Sequence, residues 1–185
     1  MTTTKNETGS VSITLSEAIV GPTGAPLATL TLRRPIAKDM RAMDGAKGEI
    51  GKSLALAAHL SGVPAPLLDN LDGTDFLELS DGVQSLLQRR EDGGARTNAD
   101  GTFTLPLPKP IGPDGGITEI TVRRAKAKDF RVMDAHKGPI AGTFALASQL
   151  SGIAIAILET LDCGDFLELG DAIEGFHKPS PATGE

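Results

Sequence analysis

The chain has no tryptophan and no tyrosine, and only six phenylalanines among 185 residues. A core must therefore come from Leu, Ile, Val, Ala and Met, and the best platforms for stacking nucleobases are missing. A single cysteine excludes an internal disulfide and any cysteine-rich zinc site. No apolar run approaches the roughly 20 residues that a membrane helix needs; the longest extends from Ile153 to Leu158. The first ten residues are polar and lack the apolar stretch of a signal peptide. Positive charge is the scarcer sign, with 18 Lys and Arg against 24 Asp and Glu and a formal net charge of -6. That balance favours neither nucleic acid nor an anionic membrane. Hydrophobic residues make up 39%, enough for a core and too many for a disordered chain. The expectation is a soluble protein of a reducing cytoplasm.

What is present, above all, is a repeat. Leu32-Arg-Arg-Pro-Ile-Ala-Lys-Asp-Met-Arg-Ala-Met-Asp44 returns as Val122-Arg-Arg-Ala-Lys-Ala-Lys-Asp-Phe-Arg-Val-Met-Asp134, 90 positions later. The same offset aligns Leu60-Ser-Gly-Val63 with Leu150-Ser-Gly-Ile153, and Asp75-Phe-Leu-Glu-Leu79 with Asp165-Phe-Leu-Glu-Leu169. Between 32–82 and 122–172, 26 of 51 positions are identical without a gap. One-residue adjustments before Arg33 fit a hairpin loop. A repeat this long is a duplicated domain rather than a solenoid unit. The copies fall at 10–90 and 101–178. A polar, Gly-rich linker at 91–100 joins them, and flexible ends occupy 1–9 and 179–185.

Each copy reads as a β-hairpin followed by about four short helices, an α+β unit. Val11 to Leu15 and Leu27 to Leu32 alternate with strand period around a turn at Gly21-Pro-Thr-Gly24. Thr102 to Leu105 and Ile117 to Val122 repeat this around Gly112-Pro-Asp-Gly115. Ala37 to Asp44 predicts a short helix with Met40 and Met43 on one side. Ile50 to Leu60 predicts a second, with Ile50, Leu54, Ala57 and Leu60 as its apolar stripe and Gly62 as its C-cap, matched by Gly152. A further turn runs from Pro64 to Leu71. Asp72 suits the N-cap of the last helix, with Asp75 near its positive end. That helix carries Phe76, Leu79, Val83, Leu86 and Leu87, matched by Phe166, Leu169, Ile173 and Phe176. A unit of some 75 residues has a small core. Packing of one copy on the other, self-association or a bound partner is expected to complete it.

Catalytic and metal chemistry finds no support. His59, His136 and His177 do not recur between copies, since position 59 pairs with Gln149 and position 136 with Ala46. No two of them have ligand spacing. Cys163 pairs with Gly73. Asp72 and Asp75 are explained by capping, and the Gly21 turn lacks the Lys-Ser/Thr of a phosphate loop. Charge is sorted along each copy. Arg33, Arg34, Lys38, Arg41, Lys47 and Lys52 precede Asp69, Asp72, Asp75, Glu78 and Asp81, and copy 2 repeats the order. Such sorting suits a solvated face or a pair of complementary surfaces that steer a protein partner.

The order of these motifs resembles the phage tail assembly chaperones of contractile-tailed, Mu-like and P2-like phages. The residues concerned are Leu30-Thr-Leu-Arg33 with Ala37 and Asp39, Leu60-Ser-Gly-Val63, and Leu71-Asp-x-x-Asp75-Phe-Leu-Glu-Leu79. In copy 2 they are Ile120-Thr-Val-Arg123 with Ala127 and Asp129, Leu150-Ser-Gly-Ile153, and Leu161-Asp-x-x-Asp165-Phe-Leu-Glu-Leu169. The departure is the tandem duplication, since the family pattern is single-copy. The resemblance implies a non-enzymatic factor of the host cytoplasm, without catalytic residue, cofactor or metal. It would bind the tape measure protein, a long helical chain prone to aggregate, and keep it soluble during tail tube assembly. The alternative is a structural tail or baseplate adaptor retained in the particle. Met40, Met43 and Met133 would line an adaptable groove for a helix. Arg33, Arg34, Phe76, Arg123, Arg124, Phe130 and Phe166 complete the expected partner-binding set.

Overall fold

A computed structural model describes residues 3–5, 9–21, 24–88 and 94–175. Pro22 and Thr23 of the hairpin turn, residues 89–93 of the expected linker, Phe176, His177 and the segment 179–185 lie outside them. The chain divides into two compact units, Met1–Gln88 and Arg89–Glu185.

In the first unit, strands β1 (Thr3–Lys5), β2 (Val11–Val20) and β3 (Pro26–Leu32) form one antiparallel sheet in that order. The period-two pattern puts Val11, Ile13, Leu15, Leu30 and Leu32 on the buried face. A 3-10 helix (Ala37–Met43) follows, then α1 (Gly48–Ser61), α2 (Ala65–Leu68) and α3 (Gly73–Leu86). Gly62 ends α1 in the left-handed conformation at φ 72°, and Asp72 caps α3 by accepting the Thr74 N–H. α3 lies on the sheet through Gly82, where a Cβ would come within 3.2 Å of Val11 and Ile13. Leu79 and Val83 flank that contact inside the core.

The second unit repeats the plan. Its sheet holds β4 (Arg96–Thr97), β5 (Phe103–Ile111) and β6 (Ile117–Val122). Four helices follow: α4 (Arg131–Asp134), α5 (Pro139–Ser151), α6 (Ile155–Leu158) and α7 (Cys163–Gly175). Each copy is thus a β-hairpin followed by four short helices, an α+β unit, as the sequence indicates.

Three local expectations need correction. The segments read as a flexible N-terminus and a linker each supply a strand, since Thr3–Lys5 pairs with β2 and Arg96–Thr97 with β5. Both are too short and polar to show alternation. β5 runs on past Leu105 through Pro106, Pro108 and Pro110 to Ile111. A bulge makes this tolerable, because five steps of β5 (Pro106 to Ile111) face two steps of β6 (Glu119 to Ile117). β2 carries the same bulge between Thr14 and Ile19. Third, the hairpins differ by two residues rather than one. Val11 pairs with Leu32 and Phe103 with Val122, so the first strands align at an offset of 92 and the second at 90.

Candidate functional site

The Arg-Asp motif shared by both copies builds a clamp where the hairpin enters the helices. Arg33 donates from Nη1 and Nη2 to the two Asp39 oxygens at 2.6 and 2.8 Å, and the Ile36 N–H donates to Asp39 at 2.8 Å. His59 Nε2 lies 2.9 Å from the same carboxylate. Because a carboxylate only accepts, Nε2 carries the proton. Burial alone would raise the Asp39 carboxyl, but the Arg33 fork, the Ile36 N–H and His59 outweigh it and hold it at about 2. In copy 2, Arg123 donates twice to Asp129 at 2.7 and 2.9 Å, the Lys126 N–H donates at 2.7 Å, and Gln149 Nε2 at 2.8 Å replaces histidine. The Arg123 fork keeps Asp129 well below the usual carboxylate range. Each arginine N–H also reaches the end of the long helix, Arg33 to Leu60 O and Arg123 to Leu150 O.

The clamp corrects part of the expected partner-binding set. The guanidinium forks of Arg33 and Arg123 are engaged within their own copies and serve the fold. Arg34 and Arg124 are exposed neighbours whose carbonyls accept from those forks at 3.3 Å. Met40 is 2% exposed and belongs to the core. Phe166 is equally buried, stacked on Phe144 with ring centroids 4.2 Å apart. A partner cannot reach either without opening the unit. Met133 packs beside Gly142, where a Cβ would meet its side chain at 3.3 Å. Met43, Phe76, Phe130 and Met133 are partly exposed; Phe76 lines one of the three clefts described below, and no methionine lines any of the three.

What the two copies do share is a cleft that sequence reasoning missed. Beyond its bulge, the outer half of each hairpin stands away from the short helix below. In copy 1 the gap measures about 460 Å³ and lies between Glu17, Ala18, Ile19 and Val20 on β2 and Leu67 of α2 with Asn70, Leu71 and Asp72 just beyond it. In copy 2 it measures about 420 Å³, between Lys109 to Pro113 and Ala156, Ile157 and Thr160. With the two-residue hairpin shift, Glu17, Ala18, Ile19 and Val20 correspond to Lys109, Pro110, Ile111 and Gly112. Leu67 and Asn70 correspond to Ile157 and Thr160. The shift hid this match, although Ile19 and Ile111 carry the same residue. The lining mixes apolar side chains (Ile19, Val20, Leu67 and Leu71; Ile111 and Ile157) with polar ones, and few ionisable groups converge. It suits a protein side chain better than a reacting small molecule. Rim charge differs, acidic Glu17 in copy 1 against Lys109 in copy 2.

A second cleft of about 300 Å³ opens in copy 1 between α1 and α3, lined by Ile50, Leu54, Leu68, Asp69, Leu71 and Phe76. Ile50, expected in the buried stripe of its helix, is 64% exposed there. The buried stripe starts only at Leu56. Among the described residues, no group of three or more His, Cys, Asp or Glu could hold a metal ion. No described helix is long and apolar enough to cross a membrane.

No curated protein and no solved structure matches the chain. One family does, described as phage tail assembly chaperone proteins, E, or 41 or 14. It matches twice, over residues 12–88 and 102–178. Both matches cover a whole hairpin-and-helices copy, clefts included, and the chain therefore belongs to the phage tail assembly chaperone family as a tandem duplication.

Proposed function

We propose that the protein acts by binding the tape measure protein and holding this long helical chain soluble while tail tube subunits assemble around it. The observation that carries this reading is the cleft between hairpin and short helix, kept in both copies while its rim residues change. A chaperone of extended helical chains needs shallow, repeated apolar contacts, and an apolar groove accepts a helix through side chains spaced three or four apart. Two such sites on one polypeptide raise the effective concentration of the second once the first is filled. The net charge of -6 keeps the loaded complex soluble. The work proceeds in the host cytoplasm, without catalysis.

The test is co-expression with the tape measure protein of the same phage. The tape measure protein is expected to stay in the soluble fraction and to co-purify. Val20→Lys, at an exposed position on the cleft wall, weakens that capture while the fold persists. Finished particles are expected to lack the chaperone by mass spectrometry. A protein retained there at fixed stoichiometry is an adaptor instead.

A further inference from the structure

The two copies differ in one respect that their shared fold does not require. At the position of Leu54, copy 2 has Phe144. Phe144 is completely buried and stacks on Phe166, and Leu158 and Leu161 are likewise at 0% exposure. In copy 1 the corresponding Phe76 and Leu71 are only partly covered, and the space that an aromatic ring occupies in copy 2 is the open cleft of about 300 Å³. Copy 2 thus carries within its own chain the side chain that fits this place.

We propose that the α1–α3 cleft of copy 1 receives an aromatic side chain from a helix of the partner protein, which stacks on Phe76 as Phe144 stacks on Phe166. Flanking lysines or arginines on the same helix face complete the recognition. Three further observations specify this occupant. The large apolar side chains left exposed among the described residues, Val20, Ile36, Ile50 and Leu77, all belong to copy 1. Leu71 lines both the α1–α3 cleft and the hairpin cleft, so the two adjoin at this side chain. The described residues lining that joint surface carry Glu17, Asp69 and Asp72 and no lysine or arginine. An acidic rim around an apolar floor matches a basic amphipathic helix and repels an acidic one. In copy 2 the buried Phe144 takes the position of Leu54, and the hairpin cleft is edged by Lys109 instead of an acidic residue.

This inference deepens the chaperone reading and rests on it for the partner's being a tail protein, so the test has two arms. In the first, the tape measure protein is titrated against wild type, Leu54→Phe and Phe144→Leu. Leu54→Phe copies the arrangement that copy 2 already folds with. It is expected to weaken binding at least tenfold with an unchanged circular dichroism spectrum. Phe144→Leu opens the second copy and adds a weaker site. Wild-type binding that Leu54→Phe leaves intact overturns the aromatic site and leaves the chaperone reading standing. In the second arm, a synthetic Lys-rich helical peptide with one phenylalanine is compared with its Phe→Ala and Lys→Glu forms by methyl NMR of Ile50 and Leu54. Shifts confined to the Phe, Lys form, and lost in Leu54→Phe, support the site even if the tape measure protein itself is not bound. Equal shifts from all three peptides, or none, overturn it.

Discussion

Ser16 donates both its backbone N–H and its hydroxyl to one buried carboxylate, that of Asp75, 59 residues away. The distances are 3.0 Å from the amide to each oxygen and 2.8 Å from the hydroxyl. Asp75 is 1% exposed, so the α3 N-terminus is tied directly to the bulged stretch of β2, next to Glu17 at the cleft. Asp75→Ala strands a part-buried amide and is expected to cost about 1–3 kcal/mol. Ser16→Ala removes only the hydroxyl bond and is expected to cost about 1 kcal/mol. Urea unfolding followed by circular dichroism separates the two, since the chain lacks Trp and Tyr for fluorescence. Hydrogen exchange then shows the loss confined to the first unit.

Acid sensitivity follows from the clamp. Asp39 titrates at about 2 in the folded protein against a reference of 3.8. A depressed carboxylate stabilises the fold fully above the reference value and loses that contribution as pH falls through the folded value. The first unit is therefore expected to lose up to about 2 kcal/mol between pH 4 and pH 2 from this group. Asp39→Asn lowers stability at neutral pH and flattens the curve in that window. The urea midpoint measured from pH 7 to pH 2 in both proteins checks the sign. Asp129 changes stability in the same direction.

The clamp also makes His59 replaceable by the residue that its own duplicate uses. His59→Gln keeps a donor toward Asp39, as Gln149 does toward Asp129, and is expected to change stability by less than about 0.5 kcal/mol. His59→Ala leaves an Asp39 oxygen short of a donor and is expected to cost about 0.5–1.5 kcal/mol. Thermal unfolding of both variants at pH 8 decides it. Equal losses would mean that the imidazole contributes packing rather than a hydrogen bond.

The two long helices respond unequally to the same truncation. Phe144→Ala empties a fully buried site and is expected to cost about 3–5 kcal/mol. Leu54→Ala widens a cleft that is already open, for less than about 2 kcal/mol. Differential scanning calorimetry, which can resolve two units as separate transitions, measures the contrast.

The elements were legible where local chemistry decides them. Gly62 and Gly152 at helix ends, Asp72 at a helix start, and the alternation of Val11, Ile13 and Leu15 all signal within a few residues. Long-range partners left no such mark. Asp75 reads as a residue at a positive helix end until the fold brings Ser16 to it. His59 looks incidental beside Gln149 until Asp39 and Asp129 explain why an N–H donor is kept. Ile50 fits an apolar stripe by spacing, yet one turn further along the same helix stands Leu54 rather than phenylalanine, and the cleft stays open. The shared hairpin cleft was hidden because two residues of difference at the loop broke the alignment on one side of it.

The alternate prolines of β5 have a consequence for self-recognition. β4 covers only Phe103 and Thr104, so the outer stretch of β5 is unpaired on that flank among the described residues. Pro106, Pro108 and Pro110 remove three amide donors from it, and a strand without donors cannot template a neighbouring chain. Among the described residues β2 leaves the same flank open beyond Ile13 and has no proline there, although Asp75 already holds the Ser16 amide. Fibril-like zipping of one molecule onto another is thus suppressed at one hairpin and still permitted at the other.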